Sequence, residues 1–78
     1  MTVLEQLQKI VREYTGDGSL HVEEGTLLTA GIGLDSYDMA SLLGVVEEHF
    51  DVVIPDRAVM DMLTAGDMAD YIMKQKDN

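Results

Sequence analysis

Apolar residues at the start of the chain, Val3, Leu4, Leu7, Ile10, Val11 and Tyr14, recur at intervals of three and four. That spacing lines one face of an α-helix. Thr2 followed three residues later by Glu5 predicts a capping box, in which each side chain satisfies an amide with no partner inside the helix. Gly16 and Gly18 end the segment. The stretch from there to Leu34 is long for a connection in so short a chain, and Leu20, Val22, Leu27, Leu28 and Ile32 are expected to pin it onto a core.

A second helix is predicted to begin at Asp35 or Ser36, both good N-cap types, and to stop near Asp51. Its buried face would hold Met39, Leu42, Leu43, Val46 and Phe50. Pro55 disfavours helical angles at Ile54, so Val52, Val53 and Ile54 read as a short extended connector. Asp56 is expected to cap a brief third helix reaching Met60 or Leu63. Thr64 with Asp67 starts a fourth, with Ala65, Met68, Ala69 and Ile72 facing inward. Aspartate is a weaker capping-box partner than glutamate. Lys74 and Lys76 complement the negative end of that helix, and Asp77 and Asn78 are expected to fray. The pattern therefore predicts an all-α fold, a four-helix bundle with a short third helix and a long first loop, in one domain over residues 1–78.

Charge narrows the functions open to such a bundle. Fifteen acidic side chains against five basic ones give the 78 residues a formal net charge of −10. Phosphate backbones and anionic lipid surfaces would repel it, which argues against nucleic-acid and membrane partners. Basic proteins or cations suit it better. Between Asp35 and Asp70 lie nine acids and the single base Arg57, so −8 of the total falls on the second and third helices and the start of the fourth. There is no cysteine, hence no disulfide, thiolate metal site or cysteine nucleophile, and a reducing cytoplasm is the expected compartment. Nowhere do 18 apolar residues run together.

Two familiar chemistries find little support. Ser36, His21 and His49 supply residue types of a hydrolytic triad, yet Ser36 lacks the G-x-S-x-G elbow. His49 would also stand about 20 Å farther along the same helix, at 1.5 Å per residue. No D-x-[DN]-x-[DN]-G calcium run is present. Ser36, in contrast, falls where the first amides of a helix point outward and its dipole is positive, a setting that suits a covalently attached phosphate as well as a plain N-cap.

Gly33-Leu34-Asp35-Ser36-Tyr37-Asp38 resembles the G-x-D-S-L-D attachment motif of acyl carrier proteins. The run Glu47-Glu48-His49-Phe50-Asp51-Val52-Val53-Ile54-Pro55-Asp56 resembles the family's E-E-x-F-D-x-x-I-P-D segment, and Asp70-Tyr71-Ile72 is similar to its last helix. The resemblance implies a non-catalytic carrier whose Ser36 receives 4′-phosphopantetheine from coenzyme A through a separate, Mg²⁺-using phosphopantetheinyl transferase. It would hold acyl groups as thioesters for fatty acid or related lipid biosynthesis, as a cytoplasmic monomer. By the same resemblance Asp35 helps present the serine to the transferase, and Tyr37, Asp38, Met39, Glu47, Glu48 and Asp56 meet basic patches on partner enzymes. Met39, Leu42, Val46, Met60, Met62 and Met68 are candidates for the acyl pocket, although flexible thioethers also serve as gap-filling core.

The chain departs from fatty-acid-synthesis carriers at Tyr37, where they place leucine, and at Ser41, where they place an acid. Thr29-Ala30-Gly31 lacks the acids common before the motif, and Gly44 loosens the middle of the second helix. These differences suit a specialised pathway. A discrete polyketide or aminoacyl carrier is one alternative, and an unmodified acidic helical adaptor for a basic partner is another.

Overall fold

The computed structural model describes residues 2–76, so the expected fraying of Asp77 and Asn78 lies outside the described residues. It contains four helices, α1 (Val3–Thr15), α2 (Ser36–Phe50), α3 (Asp56–Val59) and α4 (Ala65–Lys76). No strand is formed among the described residues. One isolated antiparallel bridge pairs Leu27 with Thr64. α1 packs against both α2 and α4, and the expected periodic residues form the core: Leu7, Ile10 and Val11 from α1, Met39, Leu42, Val46 and Phe50 from α2, Ala65, Met68, Ala69 and Ile72 from α4. Val52, Val53 and Ile54 form a short connector outside any helix or strand before Pro55, with Ile54 buried.

Helix starts are built by short side chains. Thr2 and Glu5 form the capping box of α1, Glu5 N–H donating to Thr2 Oγ1 at 3.1 Å and Thr2 N–H to Glu5 Oε1 at 2.9 Å. Thr64 and Asp67 form another at α4, with both bonds at 3.1 Å, and Asp67 Oδ2 accepts a further N–H from Leu63 at 3.0 Å. The shorter aspartate thus closes the box in full. At α3 the expectation needs correcting. Pro55 occupies the cap position without a side-chain bond, Asp56 lies inside the first turn, and the helix ends at Val59. α1 ends at Gly16 and α2 at Asp51, both left-handed (φ 77° and 56°). Glycine adopts that conformation without steric cost, and aspartate is one of the few other residues that tolerates it.

The long loop is clamped as much by polar groups as by apolar ones. Val22, Leu28 and Leu34 are buried and Leu20 and Ile32 partly so. Leu27 is a correction, because its side chain is 45% exposed while its backbone holds the loop. Its carbonyl accepts the N–H groups of Gly31 and Ile32, and the neighbouring Leu28 N–H donates to Leu63 O at 3.0 Å. On the other side, Arg12 Nε donates to Leu20 O at 2.7 Å and Val22 N–H to Gln8 Oε1 at 2.9 Å. Thr26 O and Glu24 O accept the first amides of α4, from Ala65 and Gly66, each at 2.9 Å. Loop carbonyls therefore replace the partners that the amides at a helix start lack.

That close approach fixes the identity of Gly66. A Cβ there would stand 2.8 Å from Glu24 O, whereas a Cβ at Gly44 in the middle of α2 would meet nothing within 4 Å. Gly44→Ala is expected to raise stability by about 0.5–1 kcal/mol through helix propensity. Gly66→Ala is expected to lower it by about 1–3 kcal/mol through overpacking, and urea midpoints check both signs. The carboxylates that accept amide bonds at helix starts also set an acid dependence. Thr64 and Leu63 N–H groups hold Asp67 below its ordinary value of 3.8, and Thr2 holds Glu5 below 4.5. Stability from both is present above those values and lost as pH falls through the lowered folded values. Asp67→Asn should flatten the fall in melting temperature below about pH 4, the ordinary carboxylate range.

Candidate functional site

Asp35 precedes the first helical residue of α2 in an extended conformation, and its Oδ1 accepts the Asp38 N–H at 2.8 Å. Asp38 Oδ2 accepts the Asp35 N–H in return, at 3.3 Å. The cap is therefore aspartate, and the choice left open between Asp35 and Ser36 falls to Asp35. Ser36 becomes the first helical residue, exposed, and its hydroxyl makes no hydrogen bond among the described residues. A hydroxyl that is neither capping nor buried is free to react.

Beside it lies a cleft of about 320 Å³ lined by Thr29, Ser36, Met39, Val59, Met62 and Leu63. Its wall joins the end of the long loop, the start of α2 and the segment from α3 to α4. Of the six pocket candidates from sequence, Met39 and Met62 stand in this wall, and Leu42, Val46 and Met68 lie in the core. Met60 is a correction: offered as a pocket candidate on an inward or semi-inward face, its side chain is 80% exposed, just past the end of the short α3. Val59 and Leu63 were not singled out by sequence, since a four-residue helix is too short to show a period.

The acidic candidates separate by the bonds they make. Asp38 is part-buried and accepts the Tyr14 hydroxyl at 3.1 Å, in addition to closing the cap. Glu47 Oε2 accepts the Ile54 N–H at 2.9 Å and so braces the connector after α2. Glu48 and Asp56 are exposed, and Tyr37 projects into solvent at 77%. Tyr14 feels opposing influences. A hydrogen bond with Ser41 favours its phenolate, while burial and the Asp38 carboxylate favour the phenol and together raise its pKa above the ordinary 10. His49 Nε2 lies 3.1 Å from Gln6 Oε1 at the other end of α2 from Ser36, and His21 is exposed in the loop; neither is hydrogen-bonded to the serine. Among the described residues no group of three or more His, Cys, Asp or Glu is placed to hold a metal ion, and no helix is long and apolar enough to cross a membrane.

Residues 5–72 match the family described as the phosphopantetheine attachment site. An acyl carrier protein of Sinorhizobium fredii and the acyl carrier protein AcpP of Rhizobium meliloti are each 38% identical to the chain over 72 residues, covering 92% of both sequences in each case. The chain belongs to the acyl carrier protein family. Members of this family are carriers, and their cofactor is 4′-phosphopantetheine. The residues at the start of α2 fit that group: an exposed hydroxyl with no competing bond stands at the positive end of a 15-residue helix, where a phosphodiester is electrostatically favoured. The mostly apolar cleft next to it has room for part of an attached chain.

Because Asp35 carries the cap, Asp35→Ala should cost about 1 kcal/mol in a urea melt, and Asp35→Asn, which keeps an accepting oxygen, much less.

Proposed function

We propose that Ser36 Oγ is the attachment point of 4′-phosphopantetheine, and that the chain carries acyl groups as thioesters on that arm and delivers them to enzymes of fatty acid or related lipid biosynthesis. The observation that carries this reading is the division of labour between neighbours, with Asp35 satisfying the helix start and Ser36 left exposed and unbonded. In loading, the Ser36 oxygen bonds to the β-phosphorus of coenzyme A, the pyrophosphate link breaks, and adenosine 3′,5′-bisphosphate leaves. The serine proton passes to a base of the phosphopantetheinyl transferase. The attached group supplies the terminal thiol that a chain without cysteine lacks.

The chain's own residues hold and present. Asp35 fixes the backbone at the serine and offers its carboxylate to the transferase and its Mg²⁺. Glu48 and Asp56, exposed on α2 and α3, attract basic patches on partner enzymes. Attraction of that kind speeds encounter more than it tightens binding, which suits a carrier that visits several enzymes in turn. Met39, Val59, Met62 and Leu63 offer an apolar wall to the first part of an acyl chain. The site of action is the cytoplasm, where the chain acts as a monomer.

Incubation with coenzyme A, Mg²⁺ and a broad-specificity transferase should add the mass of one phosphopantetheine, and Ser36→Ala should abolish the gain without loss of helicity. No gain with any transferase would instead support an unmodified acidic adaptor for a basic partner. Loading of the modified chain by a fatty acyl rather than an aminoacyl or polyketide-type synthetase tests the pathway.

A further inference from the structure

Tyr14 sits in the last turn of α1, part-buried, and its hydroxyl donates to Asp38 Oδ1 at 3.1 Å across 24 residues of sequence. The second oxygen of that carboxylate accepts the Asp35 N–H. Both oxygens of Asp38 are therefore occupied within the chain, one by another helix and one by the cap beside Ser36. A carboxylate held in this way has given up part of its capacity to accept from a basic partner. Ser41 lies one turn farther along α2 than Asp38. Ser41 adds no charge of its own, so the first turns of α2 hold Asp35 as their one acid not tied to another helix.

We propose that the Tyr14 hydroxyl is a specificity-determining group that withdraws Asp38 from the face docked by partner enzymes. The inference rests on the reading of Ser36 as the modified serine. Enzymes whose basic patch depends on an acid three residues from the first turn's cap are disfavoured, and those that read Asp35, Glu48 and Asp56 are retained. Tyr14 acts through Asp38 and touches neither the serine nor the arm, so it is a positioning residue.

The test is a double-mutant cycle on transferase kinetics with the full chain. Tyr14→Phe keeps the ring and its packing and removes only the donor. It should lower KM for the carrier by about twofold to fivefold, the range an exposed ion pair spans, with the change falling on KM and not on kcat. Asp38→Asn should raise KM by a similar factor more in the Tyr14→Phe background than in the native one, because only there is Asp38 Oδ1 released from the Tyr14 hydroxyl. An equal effect of Asp38→Asn in both backgrounds, or a Tyr14→Phe effect confined to kcat, overturns the proposal. A second measurement does not need modification at all. On titration with a hexa-arginine peptide, the Asp38 side-chain carboxyl carbon should shift more in Tyr14→Phe than in the native chain, and equal shifts overturn the proposal. If no variant is modified by any transferase, the carrier reading fails while the peptide titration still decides the role of Tyr14.

Discussion

An α-helix begins with amides that have no partner inside it, and how each start is satisfied decides which side chains of this protein remain free. Thr2 with Glu5, Asp35 with Asp38 and Thr64 with Asp67 each close a reciprocal pair over three residues. At α2 the result is an exposed, unbonded hydroxyl on the residue after the cap. Had serine been the cap, its oxygen would have been committed to an amide, and chemistry there would have competed with the helix. Placing aspartate first removes the competition and leaves the positive end of the helix beside an exposed Ser36.

The same economy governs the acids. Of the nine between Asp35 and Asp70, Asp35, Asp38, Glu47 and Asp67 accept bonds from the backbone of helix starts or of the connector after α2. Glu48, Asp51, Asp56, Asp61 and Asp70 are exposed. A dense negative segment thus does two things: part of it builds the frame, and the remainder projects a negative field into solvent. Net charge alone does not distinguish the two groups. The bonds do.

Sequence alone predicted the four helices, the connector before Pro55 and most of the core, because three-and-four spacing and capping pairs are local signals. Membership of the acyl carrier family was legible in three motif blocks for the same reason. The exposed side chain of Leu27 was not, since it depends on the loop bonding to Leu63 and Thr64 far along the chain. Met60 was misplaced because α3 has only four residues and gives no period to read. Tyr14 read as one more apolar position on α1, and only the packing of α1 against α2 brings its hydroxyl to Asp38. Sequence left the choice of cap at α2 open between two adjacent residues, each of a suitable type.

The clamp between the long loop and α4 is also the least local contact at any helix start among the described residues. α1 and α2 can form their first turns from groups three residues apart, whereas Ala65 and Gly66 N–H find their acceptors in Thr26 and Glu24, about 40 residues away. Closing so long a span has an entropic cost that the local caps do not bear. The N-terminal turn of α4 therefore joins its local Thr64–Asp67 box to a long-range clamp on the loop. The same joint holds the wall of the cleft beside Ser36, because Leu63, which lines that cleft, accepts the Leu28 N–H of the loop.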